Sequence, residues 1–270
     1  MTRLGRILAL AAVALPGCGA PESHRPPPLQ ACADCTVTPP GTSSGSGGGP
    51  AGAAGAAGKG GDAGAAGAPS TSISLTGSIA AITGQDFVAS APYAGAVIVT
   101  AKALDGSDTT AKGAGTYLLP DVAAGPQWLS VRPVGVDALG VLSFSSLPAK
   151  DAALDLVVVR AEALTTALGT LPKPASLAPG SAHAIVFVRT PAGAALPATR
   201  LTPAFAAEVG HDDGLGYGGL ETHARGIAVL FNAKASSAAQ ATLEHAGTKT
   251  SVALPLAADQ VTIVAFELAP

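Results

Sequence analysis

The sequence predicts an all-β protein, with two tandem β-sandwiches following a disordered tether. Three observations carry this. After residue 70, short apolar runs recur at a spacing near ten residues, separated by Gly, Pro, Asp and Ser, the rhythm of strands joined by turns. No long helical period competes, although residues 151–168 are ambiguous because alanine suits helices. Residues 19–70 are rich in Pro, Gly, Ala and Ser, too poor in large side chains to offset the entropy of ordering them.

Taken in order, residues 1–17 combine a basic start, Arg3 and Arg6, with an apolar run over 7–15. That run is too short to span a bilayer and reads as a signal peptide. Leu15-Pro16-Gly17-Cys18 follows and resembles a bacterial lipobox, with Pro16 standing where a small or β-branched residue is usual. The resemblance implies cleavage before Cys18 and a diacylglycerol thioether on its sulfur, giving a residue with several acyl chains, palmitate among them, that anchors without a transmembrane helix. The competing reading is ordinary cleavage after Ala20, which would put Pro21 directly behind the cut. Gly19, not aspartate, follows Cys18; by resemblance to lipoproteins of two-membrane bacteria, this favours the outer membrane of the cell envelope.

With Cys18 acylated, Cys32 and Cys35 remain as a C-x-x-C pair. A thioredoxin-like site needs this motif inside a βαβ pattern and a zinc site needs two further ligands. A local disulfide in the tether is the simpler reading. Residues 18–70 form that tether, and as a random coil the 52 residues from 19 to 70 would span roughly 40 Å. Glycine recurs at every third position from Gly49 to Gly67. Collagen has this period, but with Pro50 and Pro69 as its only prolines the run reads as a flexible spacer.

Strands are expected at residues 72–82, 94–103, 116–119, 128–131, 139–144 and 154–161, which places a first sandwich at 71–163. A Pro-containing linker is expected at 164–179. The second sandwich, 180–270, has runs at 184–189, 226–231, 241–245, 250–254 and 261–268. Alternation sets the faces. Val97, Val99 and Ala101 oppose Ile98, Thr100 and Lys102; Leu129 and Val131 point inward; so do Val264, Phe266 and Leu268.

Two motifs lie in the first half. One is Pro92-Tyr93-Ala94-Gly95-Ala96-Val97-Ile98-Val99; the other is Gly115-Thr116-Tyr117-Leu118-Leu119-Pro120-Asp121-Val122-Ala123-Ala124-Gly125. Together they resemble the carboxypeptidase regulatory-like domain over residues 73–162. The resemblance implies an Ig-like or transthyretin-like seven-stranded sandwich that is itself non-catalytic. Gly115 would turn the chain, and Tyr117 and Leu119 would enter the core. The family often has an aromatic where Gln127 stands, with Trp128 one residue later and on the outer face by simple alternation. Leu196–Leu201 and residues 226–232 echo the two motifs weakly, giving a divergent second sandwich.

Candidate chemistry is sparse. Trp128, the one tryptophan, could stack on a sugar ring, or could be an ordinary core or edge residue. The loop from His211 to Gly219 holds Asp212 and Asp213, without the alternate spacing of a calcium loop. It reads as a plain turn, and replacing both acids is expected to change stability little. Asp105-Gly106-Ser107-Asp108 reads as hairpin-turn chemistry. His183, His211, His223 and His245 have no metal-ligand spacing. Neither G-x-S-x-G nor H-E-x-x-H occurs. Net charge is -3 with no basic block, which argues against nucleic acid. The sequence thus leads to a non-enzymatic surface lipoprotein without a cofactor, held to the bilayer at Cys18. Its modules would serve adhesion, structure or interaction with an unknown protein or glycan. The alternative is a carbohydrate-binding module of starch-binding-like type with Trp128 as its platform.

Overall fold

The computed structural model describes residues 72–103 and 108–269. Cys18, Cys32, Cys35, the Gly-x-y run, the tether and most of the Asp105–Asp108 turn lie outside the described residues. The first half contains β1 (Ser72–Ile82), β2 (Ser90–Pro92), β3 (Ala96–Ala103), β4 (Asp108–Ala114), β5 (Thr116–Ala123), β6 (Gly125–Pro133), β7 (Ala138–Leu147), β8 (Ala152–Ala153) and β9 (Leu156–Arg160). A helix, α1 (Ala161–Gly169), follows. The second half contains β10 (Ala182–Arg189), β11 (Thr199–Pro203), β12 (Glu208–His211), β13 (Ile227–Ala233), β14 (Gln240–His245), β15 (Thr248–Ala253) and β16 (Gln260–Glu267). The all-β class is the one expected.

In the first half β1 serves two neighbours. Its start pairs antiparallel with β5 and its end pairs parallel with β9. Following the pairings onward, β5, β4, β3, β6, β7 and β9 lead back to β1. The ring of pairings is thus closed, although β4 and β5 meet at one pair only, Ala114 with Thr116, and keep one side without a strand partner elsewhere. The tightest corner is Gly115, at φ +72°, between β4 and β5. Alternation holds: Val97, Val99, Leu129 and Val131 are buried, while Lys102 and Arg132 are exposed. Tyr117 and Leu119 enter the same core.

The second half packs a sheet of order β12-β13-β10-β16 against one of order β11-β14-β15, with Val186, Leu230, Leu243 and Val264 between them. Phe266 and Leu268 pack on that core beside Val264. The larger sheet is buried on its other face too. Ile185, Val229, Phe231 and Ile263 meet Leu164 and Leu168 of α1 there. Two-sided burial explains why β10 and β13 read as continuous apolar runs rather than alternating ones.

The ambiguous stretch near residue 160 is resolved by this second face. The strand ends at Arg160 and the chain turns into α1. Residues 164–179, expected to be a linker, begin inside that helix, with Leu164 and Leu168 fully buried. The halves also share a hydrogen-bonded seam, because β16 pairs parallel with β7 on one side and with β10 on the other. One sheet thus continues from the first sandwich into the second.

Candidate functional site

The loop between β12 and β13 is the most elaborate polar feature of the second half. Asp212 is completely buried there. Its Oδ2 accepts hydrogen bonds from the backbone N–H groups of Ile227 (2.9 Å) and His223 (3.1 Å). Its Oδ1 faces the Nε of Arg225 at 3.4 Å. The Arg225 guanidinium lies 5.3 Å from the centre of the Tyr217 ring and donates to Gly216 O. Tyr217 is fully buried, which pushes its phenol pKa up, and it donates to Gln85 O at 2.7 Å. The loop is therefore pinned to the segment after β1. Asp213 is exposed; N–H groups of Gly216 and Leu215 hold its carboxyl below the usual range.

This corrects the plain-turn expectation. Asp213 does cap a turn, but Asp212 is an internal anchor whose oxygens face N–H donors of the loop itself. The sequence signal was present but separated: an acid before a Gly-rich stretch, and Arg225 thirteen positions on. The outward side of the loop carries two large apolar residues among the exposed Asp213, Glu221 and His223. Leu215 is 87% exposed and Leu220 83% exposed, on a backbone fixed by the bonds just described.

A second polar cluster sits where the halves meet, beside a cleft of about 530 Å³ lined by Arg132, Val136, Leu177, His183, Asp259 and Gln260. His183 is 2% exposed, and burial drives its pKa down to about 4. Its Nδ1 accepts from the N–H of Asn232 at 3.3 Å, so the ring proton sits on Nε2, which faces Ser181 Oγ at 3.4 Å. In that tautomer the imidazole cannot take a proton from Ser181. Stability should follow the same ring. The unfolded chain gains a proton below about pH 6.5 and the folded one only near pH 4. Stability is therefore full above pH 6.5 and falls by up to about 3 kcal/mol by pH 4. Denaturant titrations across this range should show His183→Phe with a lower baseline and a shallower slope. An unchanged slope would mean the imidazole is not buried neutral.

The remaining histidines do not converge. His211 Nε2 accepts from the N–H of Leu201 at 2.8 Å, and burial lowers its pKa. His245 Nδ1 lies 3.2 Å from Thr199 Oγ1. His223 is exposed.

At one end of the first sandwich, Gln127 points inward. It is 2% exposed and its Nε2 donates to Ala123 O at 2.9 Å. Its side chain lines a pocket of about 170 Å³ with Ser72, Thr109 and Asp121. Trp128 points to the other face of β6, as alternation predicts. It is half-buried, meets Phe144 edge to face at 5.2 Å, and packs against the core of the second half. Its ring therefore forms part of the contact between halves.

No family model and no curated protein matches the chain. Among solved structures it is similar to the TIE protein of Bacillus anthracis, at 10% identity and a TM-score of 0.22, covering 74% of this chain and 34% of that one. A streptococcal ancillary pilin gives 10% identity and 0.21, covering 72% and 67%. A carbohydrate-binding module of Eubacterium rectale, solved with maltoheptaose, gives 12% and 0.24, covering 73% and 98%. The chain spans about a third of the length of the anthracis protein. Likeness at this level assigns no family. Among the described residues, no helix is long and apolar enough to cross a membrane.

Proposed function

We propose that the chain is a non-enzymatic lipoprotein of the bacterial cell envelope, anchored at acylated Cys18 in the outer membrane. Its β-sandwiches serve as an adhesive or protein-interaction module. The observation that supports this most is the division of labour in the 212–227 loop. Asp212 and Tyr217 are turned inward to fix the backbone, while Leu215 and Leu220 are held outward in water beside the exposed Asp213, Glu221 and His223. A preorganised loop loses little conformational freedom when a partner covers its side chains.

Two strains test this together. Cys18→Ser should move the protein from the membrane fraction to the soluble fraction; retention in the membrane would sink the anchor. Leu215→Ser with Leu220→Ser should leave anchoring and melting temperature unchanged but lower cell attachment to the level of a deletion strain. Normal attachment would remove the adhesive reading. Binding on a glycan array that is lost in Trp128→Ala would favour the carbohydrate-binding alternative.

A further inference from the structure

Among the described residues, the hairpin of β14 and β15 leaves one strand edge open. Its turn, Ala246-Gly247, has both residues at positive φ, 47° and 79°, the two-residue type I′ geometry. In such a hairpin the flanking residues, His245 and Thr248, form a hydrogen-bonded pair. Leu243–Thr250 and Ala241–Val252 are then bonded pairs too. The bond from Leu254 N–H to Ala239 O, 2.9 Å, continues the same parity. It follows that the N–H and C=O groups of Lys249, Ser251 and Ala253 point away from β14.

Several other edges are covered or very short. Along β11, Thr199 O accepts from Thr222 N–H and Leu201 N–H donates to His211. Beyond β12, Gly219 N–H donates to His211 O. β2 is three residues long and ends in Pro92. β15 is last in its sheet and pairs with β14 in unbroken register, without proline or bulge. Its one charge, Lys249, lies 3.7 Å from Glu244. Of the devices that usually blunt an edge, β15 thus carries one lysine but neither proline nor bulge.

We infer that this edge pairs with β15 of a second copy of the chain, antiparallel and about a two-fold axis at Ser251. The outward residues 249, 251 and 253 are symmetric about Ser251. Each Ser251 would face the other, and each Lys249 would face an Ala253, so no like charges meet. All six N–H groups and six C=O groups of the two outward rows find partners. An isologous contact of this kind closes as a dimer. Strand pairing alone makes a small, polar and weak interface. This inference does not rest on the adhesive reading.

Sedimentation velocity on the full chain carrying Cys18→Ser tests it, over roughly micromolar to millimolar concentration. A concentration-dependent shift from monomer to dimer is expected. Ser251→Pro deletes an outward N–H and no bond of the hairpin; it should raise the dissociation constant by about tenfold or more. Ser251→Asp and Ser251→Lys should each be monomeric, and their equimolar mixture should form heterodimers. A monomer throughout the range, a dimer untouched by Ser251→Pro, or a mixture that stays monomeric overturns the inference. So does a dimer lost only in the Leu215→Ser, Leu220→Ser double variant. If Ser251→Pro proves misfolded by circular dichroism, the Asp and Lys mixture decides.

Discussion

Replacing Asp212 by Ala should destabilise the protein by about 3–5 kcal/mol, the cost of breaking a buried pair from one side. The carboxylate has no exposure, and its removal strands the N–H groups of His223 and Ile227 as well as the Arg225 side chain. Buried donors without acceptors keep their full desolvation cost. Asp213→Ala should do much less, because Asp213 is exposed and its partners reach water. Urea unfolding of the two variants separates the cases. Equal midpoints would mean that Asp212 is not the anchor of the loop.

Tyr117→Ala should cost a similar amount, about 3–5 kcal/mol, as for a large aromatic removed from a core. Tyr117 is buried at the start of β5, and its hydroxyl donates to Leu154 O at 2.6 Å. Burial raises its pKa, and the nearby Asp155 raises it further. The ring therefore fills the core while its polar end ties β5 to the segment before β9. Gly77 of β1 lies against the same two groups, and a Cβ there would clash with Leu154 O. Tyr117→Phe keeps the ring and loses the bond, so it should cost only about 1 kcal/mol. Thermal or denaturant unfolding of the pair gives the ratio. A phenylalanine variant as damaged as the alanine one would place the energy in the hydroxyl rather than in packing.

Where two-sided environments occur, sequence reading stops short for a physical reason. Alternation along β3 and β6 fixed the inward faces correctly, because one face of each is core and the other is not. The bounds of β1, Ser72–Ile82, were legible from its turn-flanked apolar run. β10 and β16 gave strands but not neighbours, since a continuous apolar run reports burial on both faces without saying what covers them. Alanine near residue 161 favours helix only weakly, and α1 exists because Leu164, Ala167 and Leu168 meet the back of that sheet. Asp212 was misread because acids beside glycine usually cap turns in water. Its burial depends on Arg225 and on the N–H groups of the next strand, which only the fold brings near. Trp128 lay outside as alternation required, yet against the other half, which alternation within one strand cannot show.

The seam between β7 and β16 also orders the events of folding. β16 comes after the other fifteen described strands in chain order, yet it stands between β7 and β10 in the middle of the continuous sheet. Its partner residues on β7 are about 120 positions earlier in the chain, as in Gln260 with Gly140. Until residues 260–267 arrive, β7 keeps one unpaired edge at residues 140–143 and β10 one along residues 183–189. Both are apolar templates for the wrong strand. The first sandwich can close its ring early, but its junction surface stays open until the final strand slots in. The chain thus behaves as a clasp whose pin is made last.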